Sequence, residues 1–245
     1  SIKPNNLLES ELEHMFVDAL TKVKGPSGEK AAVKTELVHD KKGYELRVGD
    51  VVWDVEPQVS LCPDDGVSIQ CKPDFVLWPH VRKGQESPWR PVVVFTDGFA
   101  YHKGEVDDDS AKREAIRRSE AFRVWSLSYK DVEYALDKSS GDYYLDCLKI
   151  PELPSEKFYN SYLSTRKPTG LVPNKLAPFD MLCWYLTHEN AEQAFVDQAS
   201  AYAMGMLGVT RDKRVFDRDN AVIDDISHSL FGETITLAYN RDALM

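Results

Sequence analysis

The sequence predicts an α/β fold: an α/β sandwich around a mixed sheet, followed by a mainly helical extension. Three observations predict it. Along residues 8–136 the order of elements is helix, several strands, helix, strand, helix, which suits a sheet flanked by helices. Val92-Val93-Val94-Phe95-Thr96 is the most continuous apolar run, as expected of a strand buried on both faces. Gly49-Asp50 separates two β-rich segments and reads as the tight turn of a hairpin.

Each element has its own signal. Leu8, Leu12, Met15, Phe16, Ala19, Leu20 and Val23 recur at helical spacing. Ser10 and Glu13 have capping-box spacing, so the helix starts at Leu8 or at Ser10. Gly25-Pro26-Ser27-Gly28 ends it. Residues 44–48 and 51–55 form the hairpin, with Lys41-Lys42 as a solvated lead-in. Val59–Leu61 and Val67–Cys71 read as short strands around Pro63-Asp64-Asp65-Gly66, and Asp74–Trp78 continues the sheet. Residues 79–91 are a polar loop. Residues 107–122 are helical, with three aspartates near the positive end. Arg123–Leu127 is a strand and Tyr129–Leu136 a short helix.

From about Leu148 prolines punctuate a linker-like stretch, so residues 1–147 and 148–245 are expected to be separate regions. Residues 178–207 read as one or two helices, and 235–239 as a terminal strand. The apolar residues of this extension suit docking or an interface, and it carries no chemistry of its own.

At 245 residues, 42% hydrophobic and 29% charged, the chain is of globular rather than disordered composition. No apolar run approaches the roughly 18 residues of a membrane helix. Ser1-Ile2-Lys3-Pro4 lacks an initiator methionine, which predicts a processed or excised piece of a longer protein. The four cysteines form no C-x-x-C pair, which argues against zinc and for a reducing, cytoplasmic compartment. The net charge of -10 argues against a surface that binds nucleic acid throughout, and leaves room for a local basic face.

The chemistry centres on two acids. Asp74 opens one strand and Asp97 closes the buried one. Carboxylates on neighbouring strands can share a hard divalent ion such as Mg²⁺ or Mn²⁺, which takes oxygen ligands. Such an ion activates water and stabilises charge on a phosphate. The plain reading of either acid alone is a turn cap beside Pro73 or Gly98. A charge at the end of an apolar strand is costly unless paired or metal-bound, which favours the two acting together.

The segments Pro73-Asp74-Phe75-Val76-Leu77 and Val92–Thr96-Asp97-Gly98-Phe99-Ala100-Tyr101-His102 resemble the PD-(D/E)XK nuclease superfamily. More narrowly, they resemble the branch of the very-short-patch-repair endonuclease. They are also similar to nuclease-like domains at the C-termini of large DEAD/DEAH-type helicases in bacterial DNA repair and phage defence. Ser10-x-x-Glu13-x-x-Phe16, Asp109-x-x-Lys112-Arg113-x-Ala115-Ile116 and Val124-Trp125-Ser126-Leu127-x-x-x-Asp131-Val132 extend the likeness over residues 8–133. The resemblance implies a restriction-endonuclease-like sheet, Mg²⁺-dependent phosphodiester hydrolysis on DNA, and a helicase domain or other defence-complex subunit as partner. It implies Asp74 and Asp97 as metal ligands, Glu13 reaching the metal through water, and His102 assisting catalysis.

One position departs from the pattern. Phe99 stands where the motif lysine would be. Three outcomes follow: His102 replaces it, Lys112 swings in from the next helix, or the fold is inactive and serves as a DNA-binding or scaffolding module. Lys112 and Arg113, with Arg117 and Arg118, form a basic stripe able to hold a phosphate backbone; the plain reading is a solvated helix face. Trp53, Trp78, Trp89 and Tyr101 are either stacking platforms for bases or core aromatics.

Overall fold

The computed structural model describes residues 11–81, 86–97, 106–139, 156–166 and 176–206. It divides into two compact units: Ser1–Lys149 with Lys175–Glu189, and Ile150–Asn174 with Asn190–Met245.

The first unit is built on a six-stranded mixed sheet in the order β1-β2-β3-β4-β5-β6. Its strands are β1 (Ala31–Val38), β2 (Lys41–Val48), β3 (Val51–Pro57), β4 (Phe75–Pro79), β5 (Val92–Asp97) and β6 (Arg123–Ser128). The first four pairings are antiparallel. Only β5 and β6 run parallel, joined through α2 (Val106–Arg118). A parallel pair needs such a crossover, whereas antiparallel neighbours need only a turn.

The expected hairpin is β2–β3, closed by Gly49-Asp50 with Val48 opposite Val51. Gly49 sits at φ 58, where a Cβ is disfavoured. A second hairpin joins β1 to β2 through His39-Asp40, at φ 46 and 64. These left-handed values are those of a type I′ turn built without glycine. It converts the expected lead-in Lys41-Lys42 into the first, exposed residues of a strand. The two short strands expected at 59–61 and 67–71 reduce to one bridge, Leu61 to Cys71, around a 3₁₀ turn at Pro63–Asp65. Pro63 and Gly66, at φ 80, hold that segment in a turn.

Side-chain alternation gives the sheet two covered faces. On one, Phe75 meets Phe16 of α1 (Glu11–Leu20) with ring centroids 4.8 Å apart. On the other, Val76 and Val93 pack with Ala115 and Ile116 of α2 and with Phe122. The helix α3 (Tyr129–Leu136) starts with a reciprocal cap: Ser128 accepts from the Asp131 backbone N–H, and Asp131 accepts from the Ser128 backbone N–H at 2.6 Å.

Residues 175–189 belong with the sheet rather than with the extension, which corrects the boundary expected at 147/148 for this segment. The physical reason is a set of indole clips. Within this unit, the Trp53 N–H donates to the Leu186 carbonyl at 2.9 Å, Trp89 to His188 at 2.9 Å, and Trp125 to Pro178 at 3.0 Å. Two of these carbonyls lie at the C-terminus of α5 (Pro178–Thr187), where helix carbonyls lack intrahelical partners. Trp53 is 0% exposed. Trp53 and Trp89 are therefore structural, which corrects their candidacy as base-stacking platforms. Trp78 donates to Glu56 at 3.0 Å and packs edge-on against Phe122. Tyr101 lies outside the described residues.

The second unit contains α4 (Glu156–Arg166) and α6 (Ala191–Met206), which pack on each other through Tyr159, Tyr162, Leu163 and Ala201. The helical stretch expected at 178–207 is thus two helices, α5 and α6, in different units. Residues 235–239 lie outside the described residues. Among the described residues, no helix is long and apolar enough to cross a membrane.

Candidate active site

Asp74 stands just before β4, half-buried. Its Oδ2 accepts from the Thr96 backbone N–H at 2.6 Å and from the Thr96 hydroxyl at 2.8 Å. Thr96 is the chain neighbour of Asp97, so the Asp74 carboxylate is held one residue from the end of β5. Asp97 closes β5 opposite Ser128, the cap of α3. This is the carboxyl end of a parallel strand pair, the place where open α/β sheets bind ligands. The side chain of Asp97 and all of His102 lie outside the described residues.

Glu13 approaches from α1 and is 3% exposed. Its Oε2 accepts from the Gln58 side-chain amide at 3.1 Å. The Gln58 backbone N–H in turn donates to the Asp74 carbonyl at 2.8 Å. Gln58 thus ties the helix acid to the strand acid. It holds φ at 56, a left-handed value that costs a non-glycine residue about 1 kcal/mol or more. Such strain persists only where surrounding contacts enforce it. The structure brings together Glu13, Gln58, Asp74 and Thr96. Gln58 and Thr96 were missed from sequence: Gln58 belongs to no recognisable motif, and Thr96 was read only as the end of the buried strand. Pro57 before Gln58 was the one local hint of a break.

The cations of α2 have different neighbours. Arg113 places its guanidinium 5.1 Å above the Phe95 ring, two residues before Asp97. Lys112 acts on Cys71, three residues before Asp74: burial pushes that thiol up, the Lys112 charge pulls it down, and Asp65 pushes it up again. Arg117 and Arg118 are exposed and both bond to Glu114, at 3.2 and 2.9 Å. Glu114 thus offsets part of the charge of Arg117 and Arg118. Cys62, Cys71 and Cys183 carry no disulfide, and Cys147 lies outside the described residues.

The donors in place are chemically uniform. Carboxylates and an amide suit a hard, oxygen-seeking cation. Among the described residues, no group of three or more His, Cys, Asp or Glu stands ready to hold a metal. Comparison of the chain with protein-family models, curated proteins and solved structures finds no match.

Proposed function

We propose that this chain carries a Mg²⁺- or Mn²⁺-dependent nuclease core of the PD-(D/E)XK class, with a restriction-endonuclease-like sheet. It hydrolyses phosphodiester bonds in DNA, in the setting of a helicase-linked repair or defence complex. The observation that supports this reading is the series of hydrogen bonds Glu13–Gln58, Gln58–Asp74 and Asp74–Thr96, which links an acid of α1 to the acid before β4 and that acid to the neighbour of Asp97.

Each residue has a role. Asp74, held by two donors from Thr96, presents its carboxylate in one orientation. Asp97 supplies the second ligand, and Glu13 an outer oxygen. When bound, the cation stabilises charge on the phosphate and makes a water acidic enough to attack near neutral pH. Arg113, set over Phe95, offsets phosphate charge through its planar guanidinium. Proton transfer falls to His102 or Lys112, one of which takes the place that Phe99 leaves without a lysine.

The test is cleavage of single- and double-stranded DNA with Mg²⁺ or Mn²⁺. Asp97→Ala is expected to lower the rate at least about 100-fold, the scale of losing one transition-state electrostatic contact. Equal rates for wild type and Asp97→Ala sink the catalytic reading. Phe99 favours one rival: a nuclease fold kept as a DNA-binding or scaffolding module. That rival expects DNA or a helicase to bind with no calorimetric signal for metal. A metal signal lost in Asp74→Ala excludes it.

A further inference from the structure

The outer edge of β1 is open among the described residues. The strand ends the sheet, and Lys34, Thr35, Glu36 and Leu37 are all exposed, Leu37 at 66%. Its hydrogen-bond parity follows from the turn. In a two-residue hairpin the flanking residues form a hydrogen-bonded pair, here Val38 and Lys41. Alternation then directs the backbone groups of Glu36, Lys34 and Ala32 toward β2, and those of Leu37, Thr35 and Val33 outward. One printed bond agrees: the Ala31 N–H, of the outward set, donates away from β2 to the Val23 carbonyl. That bond also covers the start of the edge and leaves the stretch from Val33 to Leu37.

We propose that this edge pairs with β1 of a second copy of the chain, antiparallel and centred on Thr35, so that the two sheets join across a two-fold axis. The sequence of the strand is self-complementary in that register. Thr35 faces Thr35 of the second copy, and Val33 faces Leu37, all from the outward set, giving about six backbone hydrogen bonds. Between them Lys34 faces Glu36 of the second copy, once on each side of the axis. Lys34 is already opposite Glu45 in β2, and Glu36 is opposite Gly43. Charges therefore alternate Glu45, Lys34, Glu36 across the joined sheet, which favours this register over its neighbours. The exposed Leu37 gains Val33 as a cross-strand neighbour, and the edge is capped against further pairing. An isologous contact of this kind closes as a dimer.

Sedimentation of the full chain over a concentration series tests it. A reversible dimer is expected. Lys34→Glu, an exposed change whose cost within the chain is the facing Glu45, weakens it about tenfold by setting acid against acid across the axis, and Lys34→Glu with Glu36→Lys restores it. Facing residues in a hydrogen-bonded pair have Cα atoms about 5.5 Å apart, within disulfide reach. Thr35→Cys therefore cross-links under mild oxidation, while Ala32→Cys, which meets Val38 of the second copy, stays at the wild-type background. A chain monomeric at every concentration overturns the proposal. So does a dimer indifferent to Lys34→Glu, or one in which the two cysteine variants cross-link equally.

Discussion

The strands β5 and β1 belong to one sheet and differ in almost everything else. In β5, Val92, Val93 and Val94 are fully buried, covered on one face by α2 and on the other by the aromatic layer around Phe75. In β1 only Val38 is buried. The buried strand can hold a carboxylate in one orientation, because packing leaves its neighbours nowhere to move. The edge strand has backbone groups to offer and little to fix them, which suits contact with another chain. Rigidity sits where chemistry is proposed, and open hydrogen-bonding capacity sits at the opposite side of the sheet.

Substitutions can break or sharpen this contrast. The largest effect is expected beneath the central strands. Trp53→Ala removes a fully buried indole and the donor to the Leu186 carbonyl, so stability should fall by about 4 kcal/mol in denaturant unfolding. A loss under about 1 kcal/mol would mean that α5 is held by other contacts. Between centre and edge, Gly43→Ala sets a Cβ 2.7 Å from the Val55 carbonyl oxygen, a backbone atom that cannot swing aside. The expected cost is about 2 kcal/mol, read as a lower midpoint with an unchanged denaturant slope. At the edge, Lys34→Ala should shift monomer stability by less than about 0.5 kcal/mol, measured by thermal unfolding in dilute solution. A larger shift there would show that β1 is held by more than its pairing with β2.

The same contrast explains what was legible in the sequence. The strand β5 announces itself because burial on both faces demands an unbroken apolar run. The hairpin at Gly49-Asp50 is readable because a left-handed turn residue selects glycine. The strand β1 was missed: Ala, Lys, Thr and Glu at exposed positions carry no burial pattern, and its turn uses His39 and Asp40 where glycine or asparagine would have signalled it. The segments at 59–61 and 67–71 have strand composition, yet the turn at Pro63–Asp65 keeps them to a single bridge. The tryptophans could be read as stacking platforms because a sequence does not say which carbonyl an indole will find.

For the site, the motif acids and the helix acid were visible as residue types at telling positions. Their connection was not. Gln58 lies 45 residues from Glu13 and 16 from Asp74, and only the folded sheet sets its side-chain amide against Glu13 and its backbone N–H against Asp74. Likewise, Lys112 and Arg113 are neighbours in sequence, and only the fold brings the Lys112 charge to bear on the Cys71 thiol and sets Arg113 over Phe95.

By itself the sequence determined the class of fold, the buried strand β5, one hairpin and the acids on which the proposed chemistry rests. These depend on local composition and period, which survive without knowledge of the partner. Tertiary structure decided which helix covers the tryptophans, where the basic side chains point, and how Glu13 is joined to Asp74. It also decided that a nondescript polar segment is the open edge of the sheet. Each of these is a pairing between distant residues, and its energy exists only once both members have been brought together.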